Sequence, residues 1–64
     1  MLDGKAVRRL RRGKKITQLQ LSKLTELTVQ SISHIENGHR RNIFTDNLDE
    51  LAKALDVEPA ELLK

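Results

Sequence analysis

Two short stretches with helical periodicity lie close together between residues 17 and 38, and a threonine precedes each of them. Thr17 is a candidate N-cap for a helix over residues 18–25, and Thr28 is a candidate N-cap for a helix over residues 29–37. Gly38 then provides a conventional helix stop. The pattern therefore predicts a helix-turn-helix unit over residues 17–38, although two such helices would also fit a generic small helical bundle.

Helical patterns also account for most of the remaining chain. The first helix is predicted from Leu2 or Asp3 to Lys14. A polar, basic loop over residues 39–45 is expected to dock Ile43 and Phe44 on the core. A fourth helix follows, for which the candidate caps are Thr45, Asp46 and Asn47, and a fifth begins at Pro59. Nothing has strand periodicity, so the sequence predicts an all-α fold.

The spacing of apolar residues predicts one core. The residues expected to face it from the first four helices are Val7, Leu10, Leu21, Leu24, Thr25, Ile32, Ile35, Leu48, Leu51, Ala52 and Leu55. A chain of 64 residues can form one small domain, over residues 1–64, but no cleft between lobes. Function is therefore expected on the surface.

The composition excludes several classes of protein. The chain has no cysteine, and His34 and His39 have no partner at metal-ligand spacing, so we expect neither a disulfide nor a metal site. We find no nucleophile–base pair, carboxylate pair or glycine-rich phosphate loop, and we expect neither an enzyme nor a cofactor. The apolar runs are too short for a signal peptide or a membrane span, which makes a cytoplasmic protein the default expectation.

Charge is divided unevenly along the chain. Residues 1–42 contain ten Lys and Arg against three acidic residues, and residues 43–64 contain two Lys against six acidic residues. The first part could bind a polyanion, while the second could serve structure or a partner. An ordinary solvated surface would show the same balance.

The predicted third helix has a polar side opposite Ile32 and Ile35. A helical wheel places Gln30, Ser33, His34 and Asn37 on that side, with Val29 at its edge. Such side chains can read base edges: Gln30 suits a bidentate contact with adenine, and Val29 suits a thymine methyl group. They could equally be ordinary solvent-facing residues.

The helix-turn-helix segment over residues 17–38 closely resembles the phage-repressor/Cro (Xre-like) family. In that family T-Q-x-x-L-A-x-x opens the second helix and S-x-x-x-I-S-x-x-E-x-G closes the third. The matching residues are Thr17, Gln18, Leu21, Ser22, Thr28, Ile32, Ser33, Ile35, Glu36 and Gly38. The resemblance implies a compact five-helix lambda-repressor-like domain and a transcriptional regulator that binds duplex DNA. It also implies base contacts from the start and exposed side of the third helix.

Four positions depart from the family pattern. Lys15, Glu26 and Asp56 stand where the family often has glycine at helix ends, and Ile43 stands where it often has proline. We therefore expect left-handed backbone strain at the first three positions.

Several residues around the third helix are candidate DNA-backbone contacts. Thr17 and Gln18 lie at a helix start, and the resemblance implies a phosphate contact by Gln18. The other candidates are Thr28, Asn37, Arg40 and Arg41. Arg8 and Arg12 on the first helix are interpreted as merely solvated.

Two charges fall on the apolar sides of their predicted helices. Arg11 lies beside Val7, and Glu36 lies beside Ile32. A buried charge needs a partner, so we expect an ion pair between Arg11 and Glu36. The family resemblance points to the same pairing.

A single recognition helix covers too few base pairs to select one site in a genome. We therefore expect a homodimer on an inverted-repeat operator, with Val57, Leu62 and Leu63 at the dimer contact. The alternative is that Leu62 and Leu63 simply close the monomer core. Two other functions stay open: an antitoxin-type interaction module that regulates itself through DNA, and the DNA-targeting domain of a larger protein.

Overall fold

The computed structural model describes residues 1–40 and 42–64. Its elements are α1 (Gly4–Gly13), α2 (Gln18–Leu24), α3 (Val29–Glu36), α4 (Thr45–Leu55) and a single 3-10 turn, Pro59–Leu62. The all-α prediction is confirmed, but the count of five helices is wrong. Leu63 leaves the 3-10 turn in an extended conformation and forms an antiparallel bridge with Leu2, which ends the helical segment.

Side-chain caps fix where the first three helices begin. The Asp3 carboxylate accepts from the backbone N–H of Ala6, so α1 begins at Gly4. The Thr17 hydroxyl accepts from the N–H of Gln20, whose own side chain accepts from the N–H of Thr17. The Thr28 hydroxyl accepts from the N–H of Ser31 at 3.0 Å. The two predicted threonine caps are therefore confirmed, and α2 and α3 each end one residue earlier than predicted.

The start of α4 differs from the prediction. Phe44 occupies the cap position without a side-chain hydrogen bond, and its carbonyl accepts from the N–H of Leu48 at 2.9 Å. Thr45, Asp46 and Asn47 consequently lie in the first turn rather than at the cap. Ile43 packs against the core as expected, whereas Phe44, expected to dock there, is 77% exposed.

The core lies between all five elements. Its buried members are Leu2, Ala6, Val7, Leu21, Leu27, Ile32, Ile35, Leu51, Ala52, Leu55 and Leu62. Leu24 was expected among them but is 60% exposed. Leu21 is the one buried side chain among the seven residues of α2, and Leu27 from the following turn belongs to the core.

The predicted dimer contact needs one correction. Leu62 is fully buried in the monomer core, so its side chain is not available to a second chain. Val57 is half-buried against the same core, and Leu63 is 40% exposed.

Left-handed backbone occurs at Lys15 and Asp56, each with φ of 61°, and at Gly38, with φ of 80°. The expected strain is therefore confirmed at two of the three positions. Glu26 is not among the positive-φ residues of the described chain. The reason is that α2 ends through an extended residue, Thr25, and needs no left-handed residue to reverse the chain.

The first turn of α1 packs directly on the backbone at the end of α3. A Cβ atom added to Gly4 would overlap the carbonyl oxygen of Ile35, so this approach requires glycine. This contact fixes α3 against α1. The side of α3 that faces away from α1 is left uncovered. In the described part of the chain, no helix combines the length and apolar character that crossing a membrane requires.

Candidate nucleic-acid interface

The exposed side of α3 carries the residues that the helical wheel placed there. Gln30, His34 and Asn37 are exposed, Ser33 is half-buried, and Val29 is 38% exposed. Ile32 and Ile35, on the other side, are fully buried. One face of α3 therefore anchors the helix while the other presents amide, hydroxyl and imidazole groups that can donate and accept hydrogen bonds.

A hydrogen bond joins two residues of this exposed side. The Asn37 side-chain nitrogen donates to the Ser33 hydroxyl at 3.3 Å. Because the bond links the last turn of α3 to its C-cap residue, it holds the Asn37 amide along the helix rather than leaving it free in solvent.

The structure places Arg11 and Glu36 in direct contact. Arg11 Nε donates to Glu36 Oε2 at 2.6 Å and Nη2 donates to Oε1 at 3.0 Å, which is a two-pronged arrangement. Nη1 donates to the carbonyl of Ile16 at 2.8 Å. The Glu36 side chain is fully buried and that of Arg11 is 11% exposed. This pair joins α1 to the last turn of α3.

The surroundings of Glu36 determine its charge state. Burial by itself raises the pKa of Glu36, but hydrogen bonds from Arg11 and Gln18, with the charge of Arg11, outweigh burial and leave this pKa below its ordinary value. The hydrogen bond to Glu36 in turn raises the pKa of Arg11. Both groups are therefore charged at neutral pH.

Two further donors reach Glu36, and sequence analysis missed both. Gln18 Nε2 donates to Oε1 at 3.2 Å, and Arg8 Nε lies 3.5 Å from the same oxygen. Arg8 Nη2 also donates to Asn37 Oδ1 at 2.8 Å. The interpretation of Arg8 as merely solvated is wrong. Its position three residues before Arg11, on the same side of α1, is the signal that could have revealed the contact.

The other candidate backbone contacts are spread around α3. Thr17 and Thr28 are exposed, and their hydroxyls are engaged as helix caps. Arg40 is half-buried, and its Nε donates to the carbonyl of Asn42 at 3.3 Å. Arg41 lies outside the described residues.

Two short helices, α2 and α3, are joined by a tight turn. The second of them has an exposed polar stripe, and an ion pair on its other side joins it to α1. This arrangement defines a small helix-turn-helix domain. A family model described as helix-turn-helix matches residues 7–62. The chain belongs to this family and is a transcriptional regulator of the Xre/Cro/C1 type.

Individual relatives agree with this assignment. The chain is 39% identical over 64 residues to the control protein C.BamHI of Bacillus amyloliquefaciens, covering 98% of this chain and 78% of that protein. It is similar to the crystal structure of the restriction-modification controller protein C.AhdI from Aeromonas hydrophila, with a TM-score of 0.85 and 38% identity over 94% of this chain and 89% of that one. It is also similar to the P22 c2 repressor solved in complex with a synthetic operator, with a TM-score of 0.90 and 34% identity over 100% of this chain and 96% of that one.

Proposed function

We propose that α3 enters the major groove of a specific duplex DNA site and reads its sequence. The observation that carries this proposal is the polar stripe of α3, on which Gln30 and His34 are exposed and Ser33 is half-buried. Glu36 and the two isoleucines fix the opposite side of the helix. The similarity to a repressor solved on operator DNA supports it. A rigid helix with one free polar face matches the width of the major groove.

Base contacts come from the first part and middle of α3. The Gln30 amide pairs with the N6 and N7 positions of an adenine, and the Val29 methyl groups contact a thymine methyl. Ser33 and His34, one turn further along, contact the neighbouring base edges.

Backbone contacts surround this helix and set its register on the duplex. The residues assigned to them are Thr17, Gln18, Thr28, Asn37 and Arg40, together with Arg41. Each adds affinity without distinguishing one sequence from another, and their sum makes binding sensitive to salt.

Two copies bind together on an inverted repeat. One α3 reads about 4 to 6 base pairs, which is too few to single out a site in a genome, and a two-fold dimer doubles the site. The acidic segment after residue 42 is poorly suited to DNA, and Leu63 and Val57 lie within it. These two residues are therefore assigned to the dimer contact.

The regulated genes are proposed from the relatives. Two of the similar proteins are described as control proteins or restriction-modification controllers, and we assign this chain the same kind of role, in the cytoplasm. Sequencing the host genomic DNA recovered with the protein tests this assignment. Enrichment next to restriction-modification genes supports the controller role. Enrichment at other genes contradicts it and shows that the operator lies elsewhere.

Selection of bound duplexes from a random library tests DNA reading itself. The wild-type chain is expected to recover an inverted repeat whose half-sites lie roughly one helical turn apart, about 34 Å. Lys53→Ala, which removes an exposed cation from α4, is the matched control and should recover the same repeat. Recovery of no preferred sequence would contradict the proposal.

Sedimentation on the selected repeat tests the dimer. Two chains per duplex are expected at protein excess. Leu63→Asp should weaken the second binding event, whereas Leu24→Asp, at an exposed position on α2, should not. A complex of one chain per full repeat would contradict the dimer.

A further inference from the structure

Three side chains from different parts of the fold meet beside the last turn of α3. Arg8 comes from α1, Gln18 from the start of α2, and Asn37 from the cap of α3. Arg8 Nη2 donates to Asn37 Oδ1 at 2.8 Å, and both Arg8 and Gln18 reach Glu36 Oε1, at 3.5 and 3.2 Å. We call Arg8, Gln18 and Asn37 the anchor cluster.

In the described part of the chain, the anchor cluster carries one positive charge that no acidic side chain neutralises. Arg11 already matches the Glu36 carboxylate through two short hydrogen bonds, at 2.6 and 3.0 Å. Arg8 is the looser partner of that carboxylate, and its shortest contact is with the neutral amide of Asn37. The Arg8 side chain is 42% exposed, whereas Arg11 is 11% exposed. Among residues 1–40 and 42–64, Arg8 therefore presents a cation at the surface that Glu36, already paired with Arg11, does not compensate.

The cluster also has unused donors in fixed positions. A guanidinium has five N–H groups and a side-chain amide has two, so the bonds described leave donors on all three side chains. The Asn37 amide is fixed from both ends, because its oxygen accepts from Arg8 and its nitrogen donates to Ser33. A pre-positioned set of donors with net positive charge suits a phosphate group.

We propose that Arg8 is a DNA-backbone contact and binds one phosphate of the operator together with the amides of Gln18 and Asn37. The inference rests on the proposed function, which places the exposed side of α3 in the major groove. The phosphates that line the groove then lie near the ends of α3. Arg8 thereby links DNA binding to the buried Glu36 network, because the guanidinium that touches the phosphate also touches Glu36 and Asn37.

Ethylation interference on the duplex selected by the wild-type chain tests this assignment. Arg8→Met is compared with Arg9→Met, which removes one positive charge from the next, exposed position of α1. Ethylating one phosphate per half-site should weaken wild-type and Arg9→Met binding strongly and Arg8→Met binding much less, because only the Gln18 and Asn37 amides then contact that phosphate. The salt dependence of log K for Arg8→Met should be shallower by about 0.9 per bound chain than for wild type. Affinity for the selected duplex should fall about tenfold per bound chain.

Controls separate a lost phosphate contact from a loss of folding in the Arg8 variant. Arg11 and Gln18 still satisfy Glu36 in Arg8→Met, and thermal melting checks that it folds. Should it melt below the assay temperature, Arg8→Gln replaces it, because glutamine keeps a hydrogen-bonding side chain while removing the charge. The same ethylation pattern for the wild type and the Arg8 variant overturns the inference while leaving the proposed function intact. Failure of the wild-type chain to select any duplex overturns both.

A free anion is the other source of a phosphate group. Titration of the DNA-free chain with inorganic phosphate, followed by the NMR signal of Arg8 Nε–Hε, separates the two sources. Little change with phosphate, together with a reduced ethylation effect at one phosphate in the Arg8 variant, supports a DNA contact. Saturable binding of inorganic phosphate with an unchanged ethylation pattern identifies a small-anion site and overturns the inference.

Discussion

Arg11 and Glu36 form a two-pronged ion pair between α1 and the last turn of α3, with Nε and Oε2 only 2.6 Å apart. The carboxylate is fully buried, and Arg11 is the group that both neutralises it and ties it to the carbonyl of Ile16. This pair fixes the orientation of α3 through the side of the helix opposite its exposed side. The stability of the domain should therefore depend on it.

Removing one partner of the Arg11–Glu36 pair leaves the other partner buried with its charge not fully compensated. Arg11→Met should lower the free energy of unfolding by about 3 kcal/mol. In a domain of this size the melting temperature should fall by roughly 10 °C or more. Arg9→Met, at an exposed position on the same helix, should melt close to the wild type. An unchanged melting temperature for Arg11→Met would show that the pair does not stabilise the fold.

The lowered pKa of Glu36 predicts the acid limit of stability. A carboxyl group with a lower pKa in the folded than in the unfolded chain stabilises the fold above its unfolded pKa of about 4.3. That contribution is lost as the pH falls through the folded-state pKa, because the unfolded chain then binds the proton first.

Urea unfolding between about pH 3 and 6 measures this effect, since the window brackets the unfolded pKa. The difference in unfolding free energy between wild type and Glu36→Gln should shrink toward acid pH. Glu26→Gln, at an exposed position in the turn between α2 and α3, provides the comparison. A wild-type advantage over Glu36→Gln that grows toward acid pH would contradict the assigned direction.

Two glycines of α1 should respond in opposite ways to alanine. A Cβ at Gly4 meets the backbone of Ile35, which cannot move as a flexible side chain would, so Gly4→Ala should destabilise by about 1 to 3 kcal/mol. A Cβ at Gly13 meets no atom within 4 Å, and Gly13→Ala should stabilise by about 0.5 to 1 kcal/mol through helix propensity. Chemical denaturation of the two variants checks this pair. Equal effects would contradict the close approach of α1 to α3.

The two left-handed residues offer stabilising substitutions. Lys15 and Asp56 adopt φ of 61°, which glycine tolerates without the steric cost of a side chain. Lys15→Gly should raise the free energy of unfolding by about 0.5 to 1 kcal/mol, and Asp56→Gly by less, because aspartate visits this conformation more readily than lysine. Lys14→Gly, where φ is −87°, should give no gain. A loss of stability in Lys15→Gly would contradict the assigned backbone.

The sequence predicted the features that rest on local rules. Thr17 and Thr28 cap α2 and α3 because hydroxyls at those positions satisfy the first free N–H groups whatever the tertiary contacts. The polar side of α3 follows from helical spacing alone, since Ile32 and Ile35 must face inward.

The errors arose where tertiary packing decides. Leu24 has the spacing of a core residue, but it is exposed, and Leu27 in the turn after α2 lies in the core. Phe44 caps α4 through its backbone. Its hydrophobic side chain predicted neither its exposure nor its place at the N-cap of α4. Arg8 was missed because its partner, Asn37, is 29 residues away in the chain and becomes a neighbour only when α1 packs on α3.

Quantitative binding of Gln30→Ala tests most directly whether α3 reads DNA. Gln30 is exposed at the second position of α3. Binding should be measured to the selected duplex, to duplexes with single base-pair changes, and to a random-sequence duplex, with Lys53→Ala as the control. Gln30→Ala should weaken binding to the selected duplex by about 1 to 3 kcal/mol, remove the preference at one base pair per half-site and leave binding to random DNA unchanged. An equal loss on the selected and random duplexes, with every base preference retained, would contradict sequence reading by α3.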